Sequence, residues 1–224
     1  MLAFIKAQDP GPGIEALGNK IVSSLKEGKK VLWLIAGGSN VPIAVAVMNA
    51  VRALLSPNDL SRLTITLTDE RYGPVGHADS NWKQLTDTGF SFEGTNAIPV
   101  LTGDSLQETV KKWGKHVEKA MAGSEFTIAQ FGMGADGHIA GISPHSPAVN
   151  DTSTAAGYES GSFTRVTLTI QALKKIDAAY AFVFGAPKRE AVRRLQEEKL
   201  SFDEQPAQVL KSLKEAYFYT DCLE

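Results

Sequence analysis

The chain carries one cysteine, Cys222, close to its end. A single thiol can close no internal disulfide and build no thiolate metal cluster. Charge of one sign is also missing: 23 Lys and Arg stand against 25 Asp and Glu, for a formal net charge of −2. With no basic excess, a nucleic-acid partner is not expected. The densest basic run, KREAVRR at 188–194, reads as a solvated helix face. No run of about 18 apolar residues occurs, so no membrane span is expected. The opening MLAFIKAQDPG is too briefly apolar for a secretory signal, and a cytoplasmic protein is the expectation. No H-E-x-x-H or similar ligand spacing is found, so no metal is expected. No G-K-[ST] follows the first glycine turn and no G-x-G-x-x-G follows the first strand, which argues against nucleotide cofactors.

What is present is ordinary globular material. Of 224 residues, 43% are apolar and 21% charged, enough for one packed core, and one domain over 1–224 is expected. Ile14, Leu17, Ile21 and Leu25 recur at helical spacing over 13–28, stopped by Gly28. VLWLIAGG (31–38) reads as a buried strand ending in glycines. A helix follows over 42–56, with Pro42 in its first turn, where its missing N–H is not needed. LTITLTD (63–69) is a strand, and DSNWKQL (79–85) opens a short helix capped by Asp79 or Ser80. Ser105 and Glu108 form a capping box for a helix over 105–121. Strands are expected at 126–134, 165–170, 178–185 and 216–221, a short helix or turn at 171–176, and helices at 189–198 and 206–213. The Ser/Thr/Gly-rich stretch 151–164 reads as a loop. Alternating strands and helices predict an α/β protein, with helices on both faces of a mostly parallel sheet.

In such sheets ligands bind beyond the carboxyl ends of the strands. Four polar clusters are expected there: Gly37-Gly38-Ser39-Asn40, Asp69-Glu70-Arg71, Asp136-Gly137-His138 and Gly185 to Arg189. The glycine turn at 37–40 exposes backbone N–H groups at a helix start, a cradle for an anion such as phosphate. Alternatively, Ser39 or Asn40 simply caps the helix. Arg71 can fork onto a phosphate or carboxylate, with Asp69 and Glu70 orienting it or His138, or with Glu70 facing solvent. In GMGADGHIAG three close glycines imply a cramped path, and His138 stands at a helix-like start. A neutral imidazole there can take a proton from water, with Asp136 as the carboxylate that fixes its tautomer. Lys188 opens a helix, where a cation opposes the dipole unless an anion is bound. His77, His116 and His145 are given structural or solvent roles.

Taken in this order and spacing, the motifs GGSN, DERY, Asp79-Ser80-Asn81, GMGADGHIAG and GAPK resemble the 6-phosphogluconolactonase family. That family is related to glucosamine-6-phosphate deaminase and, in fold, to ribose-5-phosphate isomerase. The resemblance implies a three-layer α/β/α sandwich. It also implies hydrolysis of 6-phospho-D-glucono-1,5-lactone in the oxidative pentose phosphate pathway, with His138 as general base and Asp136 supporting it. Ser39, Arg71 and Lys188 match phosphate-side positions, and Gly37, Gly38, Asn40 and Asp69 are grouped with them as substrate-binding. No cofactor or metal is implied. The partner is a phosphorylated sugar lactone, met by a monomer or small homo-oligomer. Two departures stand out: GGSNVP replaces the usual GGSTP, and IAGISP follows the histidine. The deaminase pattern has an acid five residues after the histidine, where this chain has Ser143. The order of expectation is lactonase, then isomerase or deaminase, then a non-catalytic sugar-phosphate sensor.

Overall fold

The computed structural model describes residues 1–223 of the chain, so Glu224, inside the expected 1–224 domain, lies outside the described residues. The first element is β1 (Leu2–Lys6), then α1 (Gly11–Lys26) and β2 (Val31–Ile35). Leu17, Ile21 and Leu25 of α1 are fully buried. Burial of each such side chain is worth roughly 1.5–3 kcal/mol, which makes this apolar stripe the reason the helix docks. A 3-10 turn over Gly38–Asn40 leads into α2 (Val41–Leu54), with Pro42 in its first turn as expected. After α3 (Pro57–Leu60) come β3 (Leu63–Leu67) and β4 (Asp69–Arg71). Then follow α4 (Asn81–Asp87), β5 (Asn96–Ala97), α5 (Leu106–Gly123) and β6 (Phe126–Phe131). The remainder is β7 (Ala155–Ser160), β8 (Phe163–Leu168), α6 (Ile170–Leu173), β9 (Ala178–Val183), α7 (Arg189–Glu197) and β10 (Glu215–Thr220).

Seven strands form one sheet in the order β1-β10-β9-β6-β2-β3-β5, every pair parallel and flanked by helices. The central strands β2 and β9 are buried at every position, as parallel strands covered on both faces must be. From β2 the chain moves outward through β3 to β5. It then returns to the other side of β2 as β6 and moves outward again through β9 and β10. The switch point therefore falls between β2 and β6, and a crevice opens there at the carboxyl ends of the strands.

Several expectations are corrected. LTITLTD is not one strand: the chain breaks at Thr68 and Asp69–Arg71 leaves for a second, antiparallel sheet in the order β4-β8-β7. The stretch 151–164 is not all loop, because β7 runs through it and pairs with β8. Its small residues hide it: Gly157 lies under α5, where a Cβ would come within 2.7 Å of Val110. β1 and β5 carry too little pattern of their own to be read. Residues 206–212 form a 3-10 helix. His138 begins no helix; Ile139 instead bridges back to Ile142 in a tight turn, with Ala140 at φ 51°. Ser105 caps α5 by accepting the Glu108 N–H at 3.4 Å, but the Glu108 carboxylate turns to Lys111, 3.7 Å away, so only half of the expected box forms.

Candidate active site

The four strand-end clusters hang from β2, β3, β6 and β9, and these four strands are neighbours in the sheet. Their loops enclose a cavity of about 310 Å³, within the range of small-molecule sites. Gly37, Gly38, Ser39, Asn40, Asp69, Arg71, His138 and Lys188 all line it, as does Arg165. A wider groove of about 640 Å³ lies at the amino ends of the strands, lined by Lys30, Arg62 and Lys119 among others. None of the four clusters reaches it.

His138 and Asp136 form a pair. The imidazole Nδ1–H donates to Asp136 Oδ1 at 2.7 Å, and the His138 backbone N–H donates to the same oxygen at 3.1 Å. Fixing the proton on Nδ1 leaves the Nε2 lone pair free. Burial works to raise the Asp136 pKa, but the side-chain and backbone hydrogen bonds from His138, with the ring's charge when it is protonated, outweigh it, and the carboxyl is held below its ordinary range. The pair exists because residue 134 is glycine: a Cβ there would stand 2.1 Å from Nδ1 and 2.5 Å from Asp136 Oδ1.

Arg71 comes from β4 and Arg165 from β8, directly opposite each other across an antiparallel pair. Both side chains therefore leave the same face and reach the same cavity. Arg71 donates one N–H to the Asp79 carbonyl at 2.9 Å and stacks on Phe163, 5.3 Å from ring centre. Arg165 stands 3.8 Å from the buried Asp69 carboxylate. Asp69 thus faces Arg165, and orients neither Arg71 nor His138. Lys188 ends the turn after β9. Burial lowers its pKa, partly offset by Cys222 and Asp221 nearby.

Glu70 does not face solvent; it is wholly buried. Its carboxylate accepts N–H groups from Arg71, Asn81 and Trp82 at 2.8, 2.6 and 3.0 Å, and the Ser80 hydroxyl at 2.9 Å. It is the strut that ties the first turn of α4 to β4. Burial raises its pKa, only partly countered by those four donors. Asn40 is buried too, its side-chain and backbone oxygens accepting from Gln130 Nε2 at 3.2 and 2.8 Å. It makes no side-chain cap for α2. Ser39 is exposed at the rim.

Of the other histidines, His77 meets the Arg71 carbonyl at 2.9 Å and His145 pairs with Asp203 at 2.5 Å. Arg193 is occupied by Glu190, Glu197 and Glu198, a solvated face as expected. Sequence reasoning missed Arg165. Its signal was a cation opening a strand, but its pairing with Arg71 is far away in sequence. Among the described residues, no group of three or more His, Cys, Asp or Glu stands together as a metal would require, and no helix is long and apolar enough to cross a membrane.

A basic, glycine-walled cavity at the switch point of a parallel sheet, with a carboxylate-oriented imidazole at its edge, suits a small anionic ligand. The chain belongs to the glucosamine-6-phosphate isomerase/6-phosphogluconolactonase family, whose model matches residues 13–218, and so to the enzymes of hydrolase or isomerase type that act on sugar phosphates. It is 28% identical over 189 residues to a 6-phosphogluconolactonase of Thermotoga maritima, covering 82% of this chain and 81% of that one. The fold is shared with a 6-phosphogluconolactonase from Shewanella baltica, at a TM-score of 0.82 and 18% identity over 98% of both chains. It is shared as well with a monomeric glucosamine-6-phosphate deaminase, at a TM-score of 0.76 and 17% identity over 97% of this chain and 96% of that one.

Proposed function

We propose that the protein hydrolyses 6-phospho-D-glucono-1,5-lactone to 6-phosphogluconate, the lactonase step of the oxidative pentose phosphate pathway. The observation that carries this reading is the unblocked Nε2 of His138 in the same cavity as Arg71, Arg165 and Lys188. The three cations, with backbone N–H groups of the 37–39 turn, grip the 6-phosphate and bring the ring carbonyl to His138. Nε2 takes a proton from water as the water oxygen bonds to C1. The tetrahedral oxyanion is steadied by nearby N–H groups or a cation. The C1–ring oxygen bond then breaks, and His138 returns its proton to that oxygen. Asp136 holds the imidazole in the required tautomer throughout.

The isomerase and deaminase reactions move protons between neighbouring carbons and call for a second acid. The position where the deaminase pattern carries one is Ser143, whose N–H donates to the Tyr158 hydroxyl at 3.0 Å and whose hydroxyl meets Ser160 at 3.2 Å. It is occupied in loop packing, which favours the lactonase.

The test is turnover of fresh lactone, read as proton release above the spontaneous rate, beside ammonia release from glucosamine 6-phosphate. Lactone turnover without ammonia, lost by roughly 10²–10⁴-fold in a folded His138→Ala variant, is the expected result. Equal kcat/KM in that variant would rule out the assigned base. Binding of 6-phosphogluconate with no turnover of either substrate would point to a sensor.

A further inference from the structure

The turn that carries Lys188 is held from the neighbouring strand. Gly185 leaves β9 at φ 104°, a conformation open to glycine and costly for other residues. Its N–H donates to Asp221 Oδ1 at 2.9 Å. Its carbonyl accepts the Lys188 N–H at 3.0 Å and the Cys222 thiol at 3.4 Å. Asp221 comes directly off the end of β10, which runs beside β9 with Thr220 opposite Val183. Its carboxyl is held below its ordinary range, chiefly by the Gly185 N–H. Among the described residues it makes no ion pair within 4 Å. The Cys222 thiol meets the same oxygen at 3.2 Å, and the group that Asp221 holds on the neighbouring strand's turn is the glycine that sets the path to Lys188. Asp221 does not line the cavity.

We propose that Asp221 is a positioning residue for the phosphate end of the site: through Gly185 it fixes the turn that aims Lys188 at the anion. This rests on the lactonase reading above, in which Lys188 grips the phosphate and His138 performs the chemistry. A residue acting only through Lys188 governs substrate binding and leaves the hydrolytic step alone. The acceptor oxygen holds the turn, so Asp221→Asn, whose Oδ1 can take the same N–H, preserves most of its effect.

The experiment measures kcat, KM and the Kd of 6-phosphogluconate for the wild type, Asp221→Ala and Asp221→Asn, each also in a Lys188→Met background. Thermal unfolding confirms that every variant is folded. Asp221→Ala should raise KM and Kd roughly tenfold, the scale of one hydrogen bond to a charged group, with kcat within about twofold of wild type. Asp221→Asn should recover most of that loss. In the Lys188→Met background Asp221→Ala should add nothing, because the group it positions is gone. A wild-type KM in Asp221→Ala, a fall in kcat without a rise in KM, or an undiminished effect in the Lys188→Met background would overturn the proposal. Should Asp221→Ala unfold, Asp221→Ser, with a hydroxyl too short to reach the turn, takes its place and the same pattern decides. If the wild type fails to turn over the lactone, the lactonase reading falls. The same series, read by inorganic phosphate binding, then decides the positioning role by itself.

Discussion

Replacing Gly134 by alanine adds one methyl group and removes none of the side chains assigned a role. Gly134 is not among the residues with positive φ, so its backbone accepts alanine without strain. The difficulty is local: the new Cβ would stand 2.1 Å from His138 Nδ1 and 2.5 Å from Asp136 Oδ1, where atoms in proteins do not approach within 3.0 Å. The ring and carboxylate must retreat by about an ångström, and a misplacement of that size costs on the order of 10²-fold in rate. A hundredfold loss corresponds to about 2.7 kcal/mol of transition-state stabilisation. The turn's own hydrogen bonds, Gly134 N–H to the His138 carbonyl at 3.1 Å and Gly137 N–H to the Gly134 carbonyl at 3.0 Å, involve no side chain and should survive. The assay is pH-stat titration of lactone opening, with 6-phosphogluconate affinity measured in parallel. Gly134→Ala should lose roughly 10²-fold in kcat and little in Kd. Gly123→Ala, at an exposed helix end with open space where the methyl would go, should leave both unchanged. In a His138→Ala background the Gly134 substitution should cost no further activity. Wild-type kcat in Gly134→Ala, or an independent loss on top of His138→Ala, would refute the claim that this glycine exists to admit the pair.

Two further outcomes follow from buried charges. Glu70→Gln replaces one acceptor oxygen by an NH2 group, which cannot accept from the Trp82 N–H or the Ser80 hydroxyl, and should destabilise the protein by about 1–3 kcal/mol in urea unfolding. Because burial raises the Glu70 pKa in the folded state, its contribution is fully present below the ordinary value of 4.5 and is lost as pH rises through the raised one. The variant should therefore flatten that part of the stability–pH curve, and an unchanged slope would contradict the assignment. Lys188 loses its proton below the ordinary lysine value of 10.5, so 6-phosphogluconate should begin to dissociate on the alkaline side earlier than an exposed lysine would allow. Lys188→Arg should push that limb upward, and identical curves for the two proteins would remove Lys188 from the binding set.

Local signals carried much of this structure. The stripe of Leu17, Ile21 and Leu25, the all-apolar β2 and β9, Pro42 in a first turn and the Ser80 and Ser105 caps each depend on residues within a few positions of one another. So did the expectation that the clusters at 37–40, 69–71, 136–138 and 185–189 sit at strand ends. What escaped depends on distant partners. Asp69–Arg71 looks like the tail of β3 until β8, nearly a hundred residues later, supplies its ladder. β1 is five residues long and is recognisable only once β10 lies beside it. In sequence Glu70 admits a solvent-facing place because three of its four donors lie ten to twelve positions ahead, around a helix start whose orientation sequence does not give. Arg165 escapes for the same reason as β4: its place beside Arg71 appears only when the two strands are paired.

That opposition has a price in the smaller sheet. Like charges placed face to face across an antiparallel ladder push against one another, and here the Asp69 carboxylate, the Asp79 carbonyl and the Phe163 ring temper them. The three-residue strand β4 thus carries a repulsive pair at its Arg71 end. A dianion set between the two guanidinium groups turns the quarrel into a clasp, so ligand and hairpin should tighten together.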